Sequence, residues 1–162
     1  MSRLPFIMGA SALLGFVASA GASGQSSARD SVSQTANLAF AERVAVRALR
    51  FSRGDASSFV VSKPEFTNSG WTAFMKHFNG FVDGNGAPQF SSSFTPVGPA
   101  VVVGEKDGVL QLRIPGKLEH SNGTSKTTYR SAVNVEVGGT PLKVQRLDWN
   151  TCVGEAARTY CM

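Results

Sequence analysis

The side chains that could do chemistry in this 162-residue sequence are few. His77 and His120 are its only histidines, and nothing near His77 in the sequence would activate it as a general base. Asp83 lies in the run Asp-Gly-Asn-Gly, where an aspartate generally stabilises a turn. The sequence contains no nucleophile elbow, HExxH zinc motif, Walker loop or dinucleotide fingerprint. We therefore predict a protein without catalytic residues and without a cofactor.

The two cysteines of the chain, Cys152 and Cys161, lie close together near its C-terminal end. In an exported protein an even pair of cysteines most simply forms a disulfide. Metal binding is the weaker alternative, because no nearby histidine completes a site. We predict no metal site, and a disulfide that closes a C-terminal tail over residues 151–162.

A short aromatic segment must be positioned by the rest of the chain. Trp71, Phe74 and Phe78 recur at intervals of three and four residues, which places their rings on one side of a helix. Thr67 or Asn68 can cap the first turn of this helix. Phe66 precedes the cap and should pack back on Trp71. Because so short a helix is marginal in water, we expect its aromatic side to be buried under another element.

Residues 1–22 have the layout of a secretory signal. A base at Arg3 precedes an apolar run over residues 4–17, and small residues at 18–22 provide a cleavage pattern. An uncleaved inner-membrane anchor is the alternative, although the run is short for a span of about 20 apolar residues. We therefore expect a periplasmic protein, with a flexible tether over residues 23–30 because that segment is small and polar.

The mature chain should form one α+β domain over residues 31–150. Ser31 and Gln34 have the spacing of a capping box that opens a helix ending near residue 51, and Asp55 can cap a second helix over residues 56–62. The later sequence alternates or is rich in β-branched residues, which is typical of strands. The predicted strands cover residues 89–95, 100–105, 109–114, 127–137 and 142–149.

Turn residues indicate how these strands pair. Asp107-Gly108 and Asn122-Gly123 each separate two predicted strands, and both dipeptides favour tight antiparallel hairpins. Pro115 and Gly116 interrupt the third strand, where a bulge or bend would let the sheet curl. The predicted fold is a roll, in which N-terminal helices pack in the concave face of a curled antiparallel sheet of about four to five strands.

The charge distribution weighs against nucleic-acid binding. The formal net charge is only +5, and charged residues make up 17% of the chain. Arg43, Arg47, Arg50 and Arg53 form a stripe at helical spacing, which could contact phosphates or an acidic partner but is more typical of a solvated helix face. Aromatic residues are not interleaved with these arginines, so we expect no nucleic-acid partner.

The segment from Glu65 to Phe74, which reads EFTNSGWTAF, resembles the Y-F-T-x-x-G-W-x-x-F patch of the DotI/IcmL family of bacterial type IVB secretion and conjugation proteins. Ile114-Pro115 is similar to the hydrophobic-proline pair that ends the central strand of that family. The likeness spans residues 36–149. It implies a periplasmic domain with the roll of the VirB-type assembly factors, related to the nuclear-transport-factor and cystatin-like superfamily. It also implies self-association and a scaffolding role without catalytic residues.

Two functional hypotheses follow from these observations. The first is a non-catalytic envelope scaffold that contacts other envelope or secretion-system subunits, near the inner membrane or as a soluble periplasmic relative of the family. The second is an exported roll whose concave pocket, lined by Trp71, Phe74 and Phe78, binds a small apolar ligand or supports an isomerase-like reaction with His77 or Asp83 as the base. An exported surface antigen cannot be separated from the first hypothesis by the sequence.

Overall fold

The computed structural model describes residues 23–151, with side chains from residue 33 onward. The predicted signal segment 1–22 and the predicted disulfide between Cys152 and Cys161 lie outside the described residues. The α+β fold class is confirmed, because helices precede a five-stranded antiparallel sheet. The elements are α1 (Ser23–Ala48), α2 (Ala56–Val60), a 3-10 turn (Lys63–Glu65), α3 (Asn68–Lys76), β1 (Ser91–Pro96), β2 (Val101–Lys106), β3 (Val109–Ser121), β4 (Lys126–Gly138) and β5 (Lys143–Thr151).

The first helix begins earlier than the sequence predicts. It starts at Ser23 rather than at Ser31, so the segment 23–30 is helical and the predicted tether there is wrong. The segment contains no proline, and adding a turn to an existing helix needs no new nucleus. Within the described part of the chain, no helix has the length and apolar character needed to cross a membrane.

The local signals around α2 are confirmed. Asp55 is its N-cap, and the Asp55 carboxylate accepts hydrogen bonds from the backbone N–H groups of Ser57 and Ser58. The Ser57 hydroxyl also donates to this carboxylate, and this hydrogen bond, together with those from the backbone, holds the pKa of Asp55 below its ordinary value of 3.8. The helix ends at Val60, two residues before the predicted end, and the 3-10 turn then leads to α3.

The sheet is organised around β3, which pairs with three strands. One edge of β3 pairs with β4 along its whole length. The other edge is shared, because β1 pairs with its second half from Gly116 to Ser121 and β2 pairs with its first half from Val109 to Arg113. β5 pairs with the far edge of β4. The predicted β2–β3 hairpin is confirmed, with Asp107 (φ 53°) and Gly108 (φ 73°) in its turn.

The predicted interruption of the third strand is wrong, because β3 continues through Pro115 and Gly116. Pro115 lies where the shared edge of β3 changes from β2 to β1, and its carbonyl accepts a hydrogen bond from Val97 there. The missing N–H of proline therefore faces a gap in the ladder and breaks no strand pairing. Gly116 leaves room for the ring of Phe94, since a Cβ atom at residue 116 would lie 2.3 Å from that ring.

One hydrophobic core joins the helices to one face of the sheet. α1 contributes small and aliphatic residues, and β3 and β4 contribute alternate positions, as expected for strands with one buried face. β5 contributes Val144 and Leu147. The aromatic segment around α3 completes this core. The fully buried large side chains are Val44, Leu49, Phe59, Phe74, Leu112, Ile114, Leu118, Val133, Val135, Val137, Val144 and Leu147.

Candidate functional site

The patch that resembles DotI/IcmL proteins attaches the start of α3 to β5. The Thr67 backbone N–H donates to the Val144 carbonyl at 2.9 Å, and Phe66 forms a parallel bridge with the same residue. The Thr67 hydroxyl caps α3 by accepting a hydrogen bond from the Gly70 N–H at 3.0 Å. The residue that bridges to β5, Phe66, is therefore followed directly by the residue that caps α3, Thr67.

Gly70 allows the helix to lie directly on the backbone of β5. A Cβ atom at this position would lie 2.7 Å from the carbonyl oxygens of both Val144 and Gln145. Real Cβ atoms essentially never approach other atoms within 3.0 Å, so the observed spacing between α3 and β5 requires glycine. This close approach gives the glycine of the patch a structural role.

The aromatic residues of the patch fill the space between α3 and the sheet. The ring of Phe74 is fully buried and contacts four other rings. Its centroid lies 5.3 Å from Phe66, 5.4 Å from Trp71 and 5.2 Å from Phe78. These contacts leave no room for a ligand between Trp71, Phe74 and Phe78. The concave pocket that the second hypothesis needs is occupied by the protein's own side chains.

The second hypothesis also needs His77 or Asp83 as a base, and the surroundings of these two residues do not match that role. His77 is the C-cap of α3, and its exposed imidazole lies 4.9 Å from the Trp149 ring. The Asp83 carboxylate accepts hydrogen bonds from the N–H groups of Asn85 and Ala87, both at 2.9 Å. Asp83 thus stabilises its own turn, as the sequence predicts.

A polar network covers the outer face of the sheet, opposite the core. The Asn134 side chain accepts from Arg113 Nε at 3.3 Å and donates to Asp148 Oδ1 at 3.1 Å. Arg146 Nε lies 2.8 Å from the other oxygen of the same carboxylate. These groups line a hollow of about 550 Å³. They satisfy one another, so the network is a solvated sheet face and not an acid–base pair. Sequence reasoning missed it because its members meet only through strand register.

Arg43 and Arg47 of the predicted arginine stripe lie on α1 and contact the turn before α3, whereas Arg50 and Arg53 follow the end of α1 at Ala48. Arg43 and Arg47 approach the Glu65 carboxylate at 3.9 and 3.5 Å. Arg53 donates to the Asn122 carbonyl in the loop between β3 and β4, while Arg50 is exposed. Ion pairs between such exposed arginines and a carboxylate contribute little stability, which agrees with a mainly solvated stripe.

The most prominent apolar surface lies at the edge of the sheet. Among residues 23–151, β2 pairs with β3 and with no other strand, so its second edge carries backbone groups without a strand partner in this part of the chain. Val101, Val102 and Val103 on this strand are exposed, and Val97 in the preceding loop is 59% exposed. The register of β2 shifts between Val102 and Gly104, which marks a bulge at this edge. Exposed β-branched residues on an open edge are typical of a surface that another chain covers.

Comparison with known proteins identifies the fold. No protein-family model matches the sequence, and no curated protein matches it either. The periplasmic domain of DotI aligns with a TM-score of 0.60 and 14% identity, over 73% of this chain and 95% of that chain. The protein has the fold of a DotI periplasmic domain. An IcmL-like type IV secretion system protein from Legionella pneumophila aligns with a TM-score of 0.58 and 13% identity, over 75% and 94% of the two chains.

A periplasmic fragment of TraM aligns less closely, with a TM-score of 0.54 and 11% identity, over 74% of this chain and 98% of that one. The predicted likeness to DotI/IcmL proteins is therefore confirmed at the level of the fold. The alignments cover 73–75% of this chain and nearly the whole length of each compared structure, so the likeness concerns most of the domain and not one motif within it.

Proposed function

We propose that this protein is a non-catalytic periplasmic assembly component of a type IVB secretion or conjugation apparatus, and that it acts through contacts with other envelope subunits. The observation that carries the proposal is the DotI-like fold of the whole domain. One similar structure is named as a type IV secretion system protein, and two others are named as periplasmic pieces, one of DotI and one of TraM. A segment with the layout of an export signal precedes the domain and supports the same location.

The distribution of polar groups also supports a binding role rather than catalysis. Phe74 fills the concave side of the roll, and Asp83 is engaged in a turn. On the outer face, Arg113 and Arg146 share the Asn134–Asp148 network. The polar groups of these two regions already have partners within the fold, and a partner protein can dock without disturbing them.

The β2 edge is the surface that we assign to subunit contact. A strand added beside β2 would pair with its free backbone groups and cover Val101 to Val103. The charged pair Glu105 and Lys106 lies at the hairpin end of the same strand, where it limits unspecific edge-to-edge pairing. The exposed valines thus provide the apolar contact, and the charges restrict the register.

Photo-crosslinking in cells that contain the assembled apparatus tests the proposal. A crosslinking amino acid at Val103 should capture an envelope subunit of the secretion system, or a second copy of the chain, identified by mass spectrometry. The same amino acid at Lys117, which is exposed on β3 away from this edge, is the matched control. If neither Val103 nor Lys117 gives a crosslinked product in those cells, the assembly role is wrong. Capture at Lys117 but not at Val103 would retain the role and reject the β2 edge.

A further inference from the structure

The two histidines of the chain line one pocket. His77 comes from the end of α3 and His120 from the second half of β3, and the fold brings both to the same hollow of about 220 Å³. The other four lining residues are Phe78, Phe81, Phe90 and Trp149. Every one of the six side chains is therefore a planar ring. This pocket lies beside the filled core of the roll and is distinct from the β2 edge.

The rings of the pocket form a connected wall. His77 lies 4.9 Å from Trp149, and His120 lies 4.9 Å from Phe90, measured between ring centroids. Phe81 meets Phe90 edge-on at 5.8 Å, yet the Phe81 side chain remains 53% exposed. A large aromatic side chain that is held by a ring contact and still faces solvent is typical of the rim of a binding site.

The imidazoles have unused hydrogen-bonding capacity. Within residues 33–151, neither His77 nor His120 donates or accepts a hydrogen bond through its ring. Burial lowers the pKa of His120 below its ordinary value of 6.5, so the uncharged ring predominates at neutral pH. A neutral imidazole has one N–H donor and one nitrogen acceptor. His120 therefore offers an acceptor at the wall of an otherwise apolar pocket.

The composition of the wall restricts the ligand. No carboxylate, ammonium or guanidinium group is among the six lining side chains, so the pocket has no fixed charge to pair with an ion. A cavity of about 150 Å³ is enough to bind benzene, so about 220 Å³ accommodates one substituted ring and not a larger ring system. A ring with one hydrogen-bond donor at its edge matches both the aromatic wall and the free acceptor.

We propose that this pocket binds a single phenolic ring, with the ring packed among Phe81, Phe90 and Trp149 and the hydroxyl group donating a hydrogen bond to His120. The ligand chemistry is that of a simple phenol or of a tyrosine side chain. This inference is independent of the assembly role, because neither the fold comparison nor the β2 edge enters it.

Nuclear magnetic resonance of the folded protein can test this binding with 4-methylphenol as the probe. Because the chain has only two histidines, the carbon-bound Hε1 proton of each imidazole gives one signal that a single substitution assigns. We expect 4-methylphenol to shift both imidazole signals in a saturable way. The saturated analogue 4-methylcyclohexanol has the same hydroxyl but no aromatic ring, and toluene has the ring but no hydroxyl. Both should bind more weakly than 4-methylphenol.

Substitutions separate the contributions of the ring wall and the acceptor. His120→Phe keeps a ring and removes the acceptor, so the affinity for 4-methylphenol should fall about two- to tenfold while that for toluene is unchanged. Phe81→Ala should weaken 4-methylphenol about two- to tenfold. Phe40→Ala removes a half-buried ring of α1 outside the pocket and is the matched control. The remaining His77 signal reports binding in the His120→Phe variant.

The outcomes are distinct. Absence of any shift with 4-methylphenol, or equal affinity for 4-methylphenol, toluene and 4-methylcyclohexanol, would overturn the proposal. Equal weakening by Phe81→Ala and Phe40→Ala would overturn it as well. A tyrosine-containing peptide that binds more tightly than 4-methylphenol would assign the site to a side chain of a partner, whereas tighter binding of 4-methylphenol would assign it to a free phenol.

Discussion

Replacement of Gly70 by alanine is a sharp test of how α3 is held on the sheet. In a solvent-exposed helix this change stabilises a protein by up to about 1 kcal/mol, because alanine has the higher helix propensity. In this protein the new Cβ atom would lie 2.7 Å from two backbone oxygens, those of Val144 and Gln145. These oxygens belong to the backbone of β5, so they cannot rotate away as a flexible side chain could.

The size of the effect follows from that geometry. The helix must move several tenths of an ångström away from β5 to restore ordinary contact, and overpacking of this kind costs about 1–3 kcal/mol. The same movement stretches the hydrogen bond from Thr67 N–H to the Val144 carbonyl, which contributes about 1 kcal/mol. After subtraction of the propensity gain, we expect Gly70→Ala to lower the free energy of unfolding by about 2 kcal/mol.

Urea unfolding, followed by far-UV circular dichroism, measures this free energy. Gly84→Ala is the matched control, because Gly84 has no atom within 4 Å of its added Cβ position and its φ is not positive. The control should change the free energy of unfolding by less than about 0.5 kcal/mol. If Gly70→Ala is as stable as the wild-type protein or more stable, the close approach of α3 to β5 described above is wrong.

Three further predictions concern individual side chains. Phe74→Ala should cost about 3–5 kcal/mol of unfolding free energy because Phe74 is fully buried, whereas Phe81→Ala at the exposed rim should cost far less in the same urea titration; equal losses would contradict the assigned burial. Thr67→Ala should cost about 1 kcal/mol by removing the cap hydrogen bond to Gly70, and Thr67→Ser should retain most of it. Because burial lowers the pKa of His120 below 6.5, the unfolded chain binds the proton first as pH falls. The free energy of unfolding should therefore decrease as pH is lowered below about 6.5. If the free energy of unfolding of a His120→Gln variant depends on pH as strongly as that of the wild-type protein, this prediction is wrong.

The features that the sequence predicted well depend on near neighbours. Asp55 and Thr67 cap the helices that follow them, and Asp107 forms its hairpin, because each of these interactions joins residues only a few positions apart. The aromatic spacing of the α3 region indicated a buried helix for the same reason. Such signals can be read without knowledge of the tertiary structure.

The features that the sequence did not predict depend on which strands become neighbours. Pro115 looked like a strand break because no local signal shows that β1 and β2 share one edge of β3. The pairing of Arg113 with Asn134, and the meeting of His77 with His120 at one pocket, likewise require the register of distant strands. Local sequence patterns do not contain this information, so the outer polar network and the aromatic pocket emerged only from the structure.

The contact between α3 and β5 also has a consequence for biogenesis. The aromatic helix α3 is synthesised before β5 (Lys143–Thr151), the strand on which it rests. Until β5 is complete, it cannot bury Phe66 and Phe74, and a nascent or truncated chain exposes these aromatic side chains, which favours aggregation. Burial of the aromatic side of α3 therefore requires β5 to have been synthesised, which leaves an interval in which a chaperone can bind the exposed rings.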